Sequence, residues 1–142
     1  KGALRGVKTT RTKRASLRGG ETVTRVIIAD DHQVVREGIP RLFAEHPEFE
    51  VVGQAGDGEE AVALVAEKQP DVVLMDIQMP RMSGTQATRQ LRQHGFRKTT
   101  IAVTDGTLEE EIAKYLRAGM VGVIHKPCKK ADFERAIRAQ LG

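Results

Sequence analysis

The chain has 142 residues, an aromatic content of only 4% and a single cysteine. This length suits one domain with a substantial core, which aliphatic side chains must fill. One cysteine excludes an internal disulfide and no Cys/His cluster has zinc-site spacing, so we expect a reducing, cytoplasmic setting. No apolar run is long enough for a membrane span or a signal peptide, so we expect no membrane partner.

The formal net charge of +4 hides an uneven distribution. Residues 1–20 carry seven Lys or Arg and no acid, whereas residues 21–142 carry sixteen basic and nineteen acidic side chains and are therefore about −3. We predict a disordered basic arm over 1–22, suited to anionic partners, followed by one folded domain over 23–142. The alternative, favoured because the chain does not begin with Met, is that the arm is a remnant of an upstream linker.

Five short apolar runs alternate with amphipathic stretches along the remainder of the chain. Strands are predicted at TRVIIA (24–29), FEVVGQ (49–54), VVLM (72–75), TIAVT (100–104) and VGVI (121–124). Helices are predicted over 32–46, 58–68, 83–93, a segment beginning after Thr107, and 131–141. This alternation predicts a parallel α/β sheet with helices on both faces.

Asp76 is the residue around which the rest of the pattern is arranged. It follows four apolar residues, Val72 to Met75, which are typical of a strand buried on both faces. Ligands of open parallel sheets bind outside the carboxyl ends of strands, so an acid at this position is a candidate site residue. The alternative is an aspartate that only caps a turn.

Polar residues end four of the predicted strands, and a parallel sheet brings those ends to one edge. They are Asp30 and Asp31, Asp76, Thr104, and Lys126. Three carboxylates within several Å repel one another by roughly 3 kcal/mol per pair at an effective dielectric of 20, which a divalent cation would offset. Ligation by oxygen alone suits Mg²⁺ rather than zinc, and Lys126 can pair with Asp76 or with a phosphoryl group on it.

Together these motifs resemble the receiver domain of the response regulators of two-component signalling, over about residues 24–141. The matching segments are the acids of IIADD, VVLMDIQMPRMSG around Asp76, the hydroxyl residue that ends IAVT, and the Lys-Pro of IHKP. DDHQVVREGI further resembles the NarL/LuxR type. The resemblance implies a doubly wound, flavodoxin-like fold: a five-stranded parallel sheet in the order 2-1-3-4-5 with five helices on both faces. It also implies a cis bond between Lys126 and Pro127.

The resemblance assigns a role to each strand-end residue. Asp76 would accept a phosphoryl group, while Lys126 and Thr104 would bind the phosphoryl oxygens. The implied Mg²⁺ ligands are Asp30 or Asp31, together with Asp76 and the backbone carbonyl of Gln78. On this basis the chain is not an enzyme beyond its own Mg²⁺-dependent phosphorylation and dephosphorylation on Asp76.

The resemblance also implies partners. A sensor histidine kinase would donate the phosphoryl group, and the phosphorylated domain would switch an output domain, most simply a transcriptional one. DNA would be contacted only through such an output domain, which this chain lacks, and a homodimer is a further option. An aspartyl-phosphate hydrolase acting on small substrates is disfavoured, because Gln78 stands where that family carries an acid.

Two residues depart from the family pattern. Asp105 follows the hydroxyl residue where a small side chain is common, so it would either repel phosphate or pair with an exposed base. Val123 stands where an aromatic residue usually couples phosphorylation to output, and Tyr115 does not occupy that position. These departures support an alternative function, a receiver-like interaction module that phosphate does not switch in the usual way.

The remaining candidates are interpreted structurally. His32 adjoins the acids, but we predict that it starts a helix or supports the acids rather than binding the metal, because Mg²⁺ prefers oxygen. Tyr115 is predicted to be a partly buried residue on a helix face. Cys128 is predicted to pack half-buried after the Lys-Pro pair. The other histidines given a structural interpretation are His46, His94 and His125.

Overall fold

The structure is a computed structural model that describes residues 17–18, 21–44, 47–104, 109–126 and 130–141. Its main sheet contains β1 (Thr24–Ala29), β2 (Phe49–Ala55), β3 (Val72–Asp76), β4 (Thr99–Thr104) and β5 (Gly122–His125). The helices among the described residues are α1 (Gln33–Phe43), α2 (Gly58–Lys68), α3 (Gly84–Gln93), α4 (Glu109–Ala118) and α5 (Lys130–Leu141). None of these helices combines the length and apolar character that crossing a membrane requires.

The sheet is parallel throughout, in the spatial order β2-β1-β3-β4-β5. This confirms the predicted doubly wound topology, in which the order reverses between β1 and β3. β5 lies one residue later than predicted, because His125 continues the ladder by pairing with Thr104. The carboxyl ends of β1, β3, β4 and β5 therefore share one edge of the sheet.

Alternate side chains of each strand supply two cores, one on each face of the sheet. Ile27, Met75 and Ala102 pack against α2, α3 and α4. Ile28, Leu74 and Val103 pack against α1 and α5. β3 is buried along its whole length, as its uninterrupted apolar sequence predicts.

The start of α3 determines how closely that helix approaches the end of β3. Ser83 is its N-cap, in a reciprocal capping box with Gln86. A Cβ on Gly84 would lie 2.2 Å from the carbonyl oxygen of Asp76 and 2.8 Å from Cγ of Met75. Only glycine fits there, so the Ser-Gly pair that predicts a helix start also allows α3 to begin against Asp76.

Leu17–Arg18 and Glu21–Thr22 pair as a short antiparallel ribbon. These four residues fall inside the predicted basic arm over 1–22. The sequence between them, Gly19-Gly20, is a dipeptide that favours tight hairpin turns. The rest of the arm lies outside the described residues, and so do Asp105, Thr107, Cys128 and the Lys126–Pro127 bond.

Candidate functional site

The shared edge of the sheet carries a polar cavity of about 240 Å³. It is lined by Asp31, His32, Asp76, Gln78, Thr104 and Lys126. The side chains come from the ends of four strands and the turns that follow them, the place that a parallel sheet leaves open to ligands. The structure thus brings together Asp30, Asp31, Asp76, Thr104 and Lys126, as predicted.

Asp76 is buried, with 3% of its surface exposed, and its two carboxylate oxygens differ. Oδ1 lies 3.4 Å from Nζ of Lys126 and accepts a long hydrogen bond, also 3.4 Å, from the backbone N–H of Gln78. Oδ2 is buried and has no hydrogen-bond partner among the described residues. A buried carboxylate oxygen without a partner is costly to keep unless a ligand completes it.

The pKa of Asp76 is raised from 3.8 to about 6. Burial is the largest cause, and the nearby charge of Asp30 adds to it, while Lys126 acts in the opposite direction. Strongly perturbed acids at a cleft are typical of functional sites. Asp76 therefore retains, in the folded protein, an unfavourable charge that a bound cation would relieve.

Lys126 lies between two acids, with Nζ 3.5 Å from Oδ2 of Asp30 and 3.4 Å from Oδ1 of Asp76. Burial lowers the pKa of its ammonium group, but the charges of Asp76 and Asp30 outweigh that effect and the pKa is raised. The side chain is therefore a fixed positive charge at neutral pH. Its position agrees with the prediction that it pairs with Asp76.

Asp30 is buried, whereas Asp31 and His32 are exposed. Oδ1 of Asp30 accepts a 2.8 Å hydrogen bond from the backbone N–H of His32 and lies 3.0 Å from Nδ1 of the same residue. Nδ1 of His32 is also 3.1 Å from Oδ1 of Asp31. His32 takes the N-cap position of α1 without a side-chain capping bond. The prediction placed His32 at a helix start or beside the acids. In the structure, Nδ1 of its ring contacts the carboxylates of both Asp30 and Asp31.

Thr104 ends β4, and its Oγ1 lies 3.5 Å from the hydroxyl of Tyr115 on α4. Tyr115 is 6% exposed, so the prediction of a partly buried helix-face residue understates its burial. The helical spacing of Ile112, Tyr115 and Ala118 was the available signal for an inward-facing side chain. Val123 is partly buried and packs against the core cluster that contains Tyr115.

The turn after Asp76 is attached to the start of α2 by contacts that the sequence does not reveal. Arg81 has a left-handed backbone (φ 66°), and its guanidinium donates to Oδ2 of Asp57, the N-cap of α2. A Cβ on Gly58 would lie 2.5 Å from the carbonyl oxygen of Met82. The hydrogen bond from the Glu60 N–H and the Arg81 guanidinium hold the pKa of Asp57 below its usual value.

The donor set fits a hard divalent cation. Asp30, Asp31, His32 and Asp76 each offer a ligand atom, and these atoms lie within 4.8 Å of one another. Oδ2 of Asp76 is the observation that favours a cation, since no donor among the described residues satisfies it. Carboxylates with room for water suit Mg²⁺.

Comparison with known proteins identifies the class to which this fold and site belong. The family described as response regulator receiver domain matches residues 26–138, so the chain belongs to that family. It is a receiver domain of the NarL/LuxR type. A structure of a LuxR-family two-component response regulator from Aurantimonas sp. SI85-9A1 supports this type, with 35% identity, a TM-score of 0.77 and coverage of 82% of this chain and 84% of that one.

The transcriptional regulatory protein DegU from Brevibacillus brevis is 42% identical over 119 residues, which are 84% of this chain and 49% of DegU. The chain therefore spans about half the length of this curated relative. The fold is also that of CheY in a CheX–CheY–BeF₃–Mg²⁺ complex from Borrelia burgdorferi, with a TM-score of 0.81, 23% identity and coverage of 92% and 97% of the two chains.

Proposed function

We propose that this domain accepts a phosphoryl group on Asp76 in a Mg²⁺-dependent reaction and thereby switches an output domain. The observation that carries the proposal is the state of Asp76: it is buried, lies beside Lys126 and Asp30, and has one carboxylate oxygen with no hydrogen-bond partner in the part of the chain that the structure describes. A purely structural acid would be expected to have donors for both oxygens.

In the proposed step, a carboxylate oxygen of Asp76 forms a bond to the phosphorus of a phosphohistidine. The P–N bond breaks, and its electron pair leaves with the imidazole nitrogen of the kinase. The product is an acyl phosphate on Asp76. Hydrolysis reverses the modification when water attacks the phosphorus and the carboxylate leaves, which would be the only turnover of the domain.

Positioning and charge neutralisation are the main requirements of phosphoryl transfer. Lys126 supplies a fixed positive charge 3.4 Å from Asp76, and Thr104 supplies a hydroxyl on the cavity wall. Asp30, Asp31, Asp76 and the backbone carbonyl of Gln78 would hold Mg²⁺. When bound, this ion would neutralise charge on the acids and on the phosphoryl oxygens.

The partners follow from the class of protein. A sensor histidine kinase would donate the phosphoryl group to this domain in the cytoplasm, and homodimerisation is a further proposal. DegU is by name a transcriptional regulatory protein, and this chain covers about half of it. We therefore propose that DNA is contacted through an output domain outside the sequence described.

The second candidate function is an interaction module whose output does not depend on phosphate. Val123 favours it, because this position of β5 lacks the aromatic ring that usually couples phosphorylation to output in the family. Tyr115 favours ordinary switching, since its hydroxyl already lies beside that of Thr104. Whether phosphate at Asp76 changes the surface of the domain separates the two.

The test is to incubate the full chain with Mg²⁺ and acetyl phosphate and to measure its intact mass. We expect one phosphoryl adduct in the wild type and in Asp71→Asn, a matched control at the opposite end of β3, and none in Asp76→Asn. Absence of the wild-type adduct would contradict the proposal. Amide NMR spectra with beryllofluoride then test switching: shifts confined to the cavity would favour the interaction module, and shifts reaching α4 and β5 would favour a switch.

A further inference from the structure

His32 brings a nitrogen donor into the acidic cluster of Asp30, Asp31 and Asp76. Its ring is 63% exposed and makes no capping bond to α1, so neither packing nor helix capping explains where the ring lies. It is Nδ1, rather than the ring face, that contacts the carboxylates.

The spacing of Nδ1 suits metal ligation. It lies 3.0 Å from Oδ1 of Asp30 and 3.1 Å from Oδ1 of Asp31. Neighbouring ligands of an octahedral ion, each at about 2.1 Å from the metal, are about 3.0 Å apart. Nδ1 of His32 therefore stands at the separation of adjacent ligands from two carboxylates on different residues.

A second observation shows that this cluster is open to a ligand. Oδ2 of Asp76 is buried and has no hydrogen-bond partner among the described residues. Asp76, Asp31 and His32 line the same cavity. The site therefore offers two carboxylates in contact with His32 and, beside them, an oxygen of Asp76 that has no hydrogen-bond partner among the described residues.

The backbone at His32 is held in place locally. The backbone N–H of His32 donates to Oδ1 of Asp30 at 2.8 Å, which holds the turn between β1 and α1. Because a ligating nitrogen carries no proton, a cation would take the place of the hydrogen between Nδ1 and the two oxygens.

We propose that His32 is a metal ligand of this chain and that its imidazole shifts the preference of the site from Mg²⁺ toward Mn²⁺ and other imidazole-binding divalent ions. Mg²⁺ strongly prefers oxygen ligands, whereas imidazole suits transition ions such as Fe²⁺, Ni²⁺ and Zn²⁺, and Mn²⁺ is the member of that series whose preference for oxygen is nearest to that of Mg²⁺. The inference rests on the proposed cation site at Asp76, and it adds a ligand and a selectivity to it.

The experiment uses the full, unphosphorylated chain with Mn²⁺ or Mg²⁺ as the probe. Pulsed EPR of bound Mn²⁺ detects a directly coordinated imidazole nitrogen by its hyperfine coupling, and calorimetry gives both dissociation constants. His32→Asn is the test variant. His125→Asn is the matched control, because His125 is exposed at the end of β5 and is not a member of the cluster.

We expect nitrogen coupling in the wild type and in His125→Asn, and none in His32→Asn. The ratio of Mn²⁺ affinity to Mg²⁺ affinity should fall about tenfold or more in His32→Asn, the lower end of what loss of a metal-supporting residue produces. Loss of Mn²⁺ binding in Asp76→Asn would establish that the measured ion is bound at this site.

Two results would overturn the proposal, and they have different meanings. If Mn²⁺ binds in an Asp76-dependent way but shows no nitrogen coupling, with an unchanged affinity ratio in His32→Asn, His32 is not a ligand and the proposed function stands. If neither ion binds the wild type, the cation site itself is wrong, and the proposed function fails with it.

Discussion

Asp71 and Asp76 bracket the same strand, β3, and each is 3% exposed, yet their surroundings differ. Oδ2 of Asp71 accepts a 2.9 Å hydrogen bond from the backbone N–H of Arg25, and its Oδ1 lies 3.4 Å from Nζ of Lys98. Oδ2 of Asp76 has no hydrogen-bond partner among the described residues, and its other oxygen has only long contacts.

Burial does not distinguish the structural acid from the functional one, since both are equally buried. The two acids differ in whether their carboxylate oxygens have hydrogen-bond partners. At the amino end of β3 the protein itself completes the carboxylate, which ties β1 to the start of β3. At the carboxyl end the protein gathers acids, and one oxygen of Asp76 has no hydrogen-bond partner within the described ranges, which leaves it available to a ligand. Removing Asp71 should therefore lower the stability of the protein, whereas removing the charge of Asp76 should raise it.

The largest effect is expected from Gly84→Ala, which disturbs the backbone at the functional end of β3. The added Cβ would meet the Asp76 carbonyl oxygen at 2.2 Å, so the strand end or α3 must move. We expect the free energy of unfolding, measured by urea denaturation, to fall by about 3 kcal/mol or more, with loss of the Asp76 adduct.

Gly38→Ala is the matched control for that variant. Gly38 lies inside α1, where an added Cβ has no atom within 4 Å. Alanine is the better helix former, so stability should rise by about 0.5–1 kcal/mol. Equal effects of the two substitutions would show that the close approach of α3 to Asp76 does not matter.

The next largest effect on stability is expected from the charge of Asp76 when no metal ion is bound. Its folded pKa of about 6 exceeds the ordinary value of 3.8, so the folded state binds more protons between these values. The contribution of Asp76 to stability should therefore be most favourable below about pH 4 and should fall by about 2–3 kcal/mol in total as pH rises through about 6. In EDTA near neutral pH, Asp76→Asn should be more stable than the wild type by a similar amount.

Urea denaturation across this pH range checks that prediction. The difference between Asp76→Asn and the wild type should vanish below about pH 4, where the carboxyl group is protonated in both states. Added Mg²⁺ should stabilise the wild type more than the variant. A difference that does not change with pH would show that the charge of Asp76 is not the cause.

Asp71→Ala tests the other end of the strand. It removes the acceptor of the Arg25 N–H and the partner of Lys98, so we expect a loss of about 2 kcal/mol. Asp71→Asn retains an acceptor oxygen and should lose less. Both variants should still be phosphorylated, and a stabilising effect of Asp71→Ala would break the contrast with Asp76.

The smallest effects are expected where Asp57 and Arg81 connect the two turns beside the site. Asp57→Ala removes the N-cap of α2 and should lower stability by about 1 kcal/mol. Arg81→Ala should cost less, because Arg81 is 66% exposed and solvent screens the pair. Thermal melts of both variants measure these losses.

The pH dependence of Asp57→Ala has the opposite sign to that of Asp76→Asn. Hydrogen bonding to the Glu60 N–H and to Arg81 lowers the pKa of Asp57, so its contribution is present above its unfolded pKa. That contribution is lost as pH falls through the lower, folded pKa. Asp57→Ala should therefore approach the wild type in acid, and a constant difference would contradict this origin.

Most of the fold could be predicted because local sequence patterns indicate where its strands and helices lie. The uninterrupted apolar run before Asp76 marks a strand buried on both faces, and Ser83-Gly84 marks the start of the next helix. The alternation of such runs with amphipathic helices leads to a parallel sheet. The short ribbon near the N-terminus escaped prediction, because two-residue strands carry no periodicity.

The candidate site was predictable in composition but not in its contacts. Asp30, Asp76, Thr104 and Lys126 were identified because strand ends in a parallel sheet converge. His32 was predicted to start a helix or to support the acids, but the contact of its ring with both acids was not predicted. Contacts of this kind depend on rotamers and turn geometry, which the spacing of residue types does not specify.

By itself, the sequence determined which residues meet at the carboxyl edge of the sheet, since chain order and strand length bring them there. Only the tertiary structure decided how they pair: Lys126 between two acids, Tyr115 beside Thr104, and Arg81 on Asp57. Each of these pairs joins residues at least eleven positions apart at hydrogen-bond or ion-pair distance. Packing of α2 and α4 against the sheet sets such distances, and no local pattern encodes them.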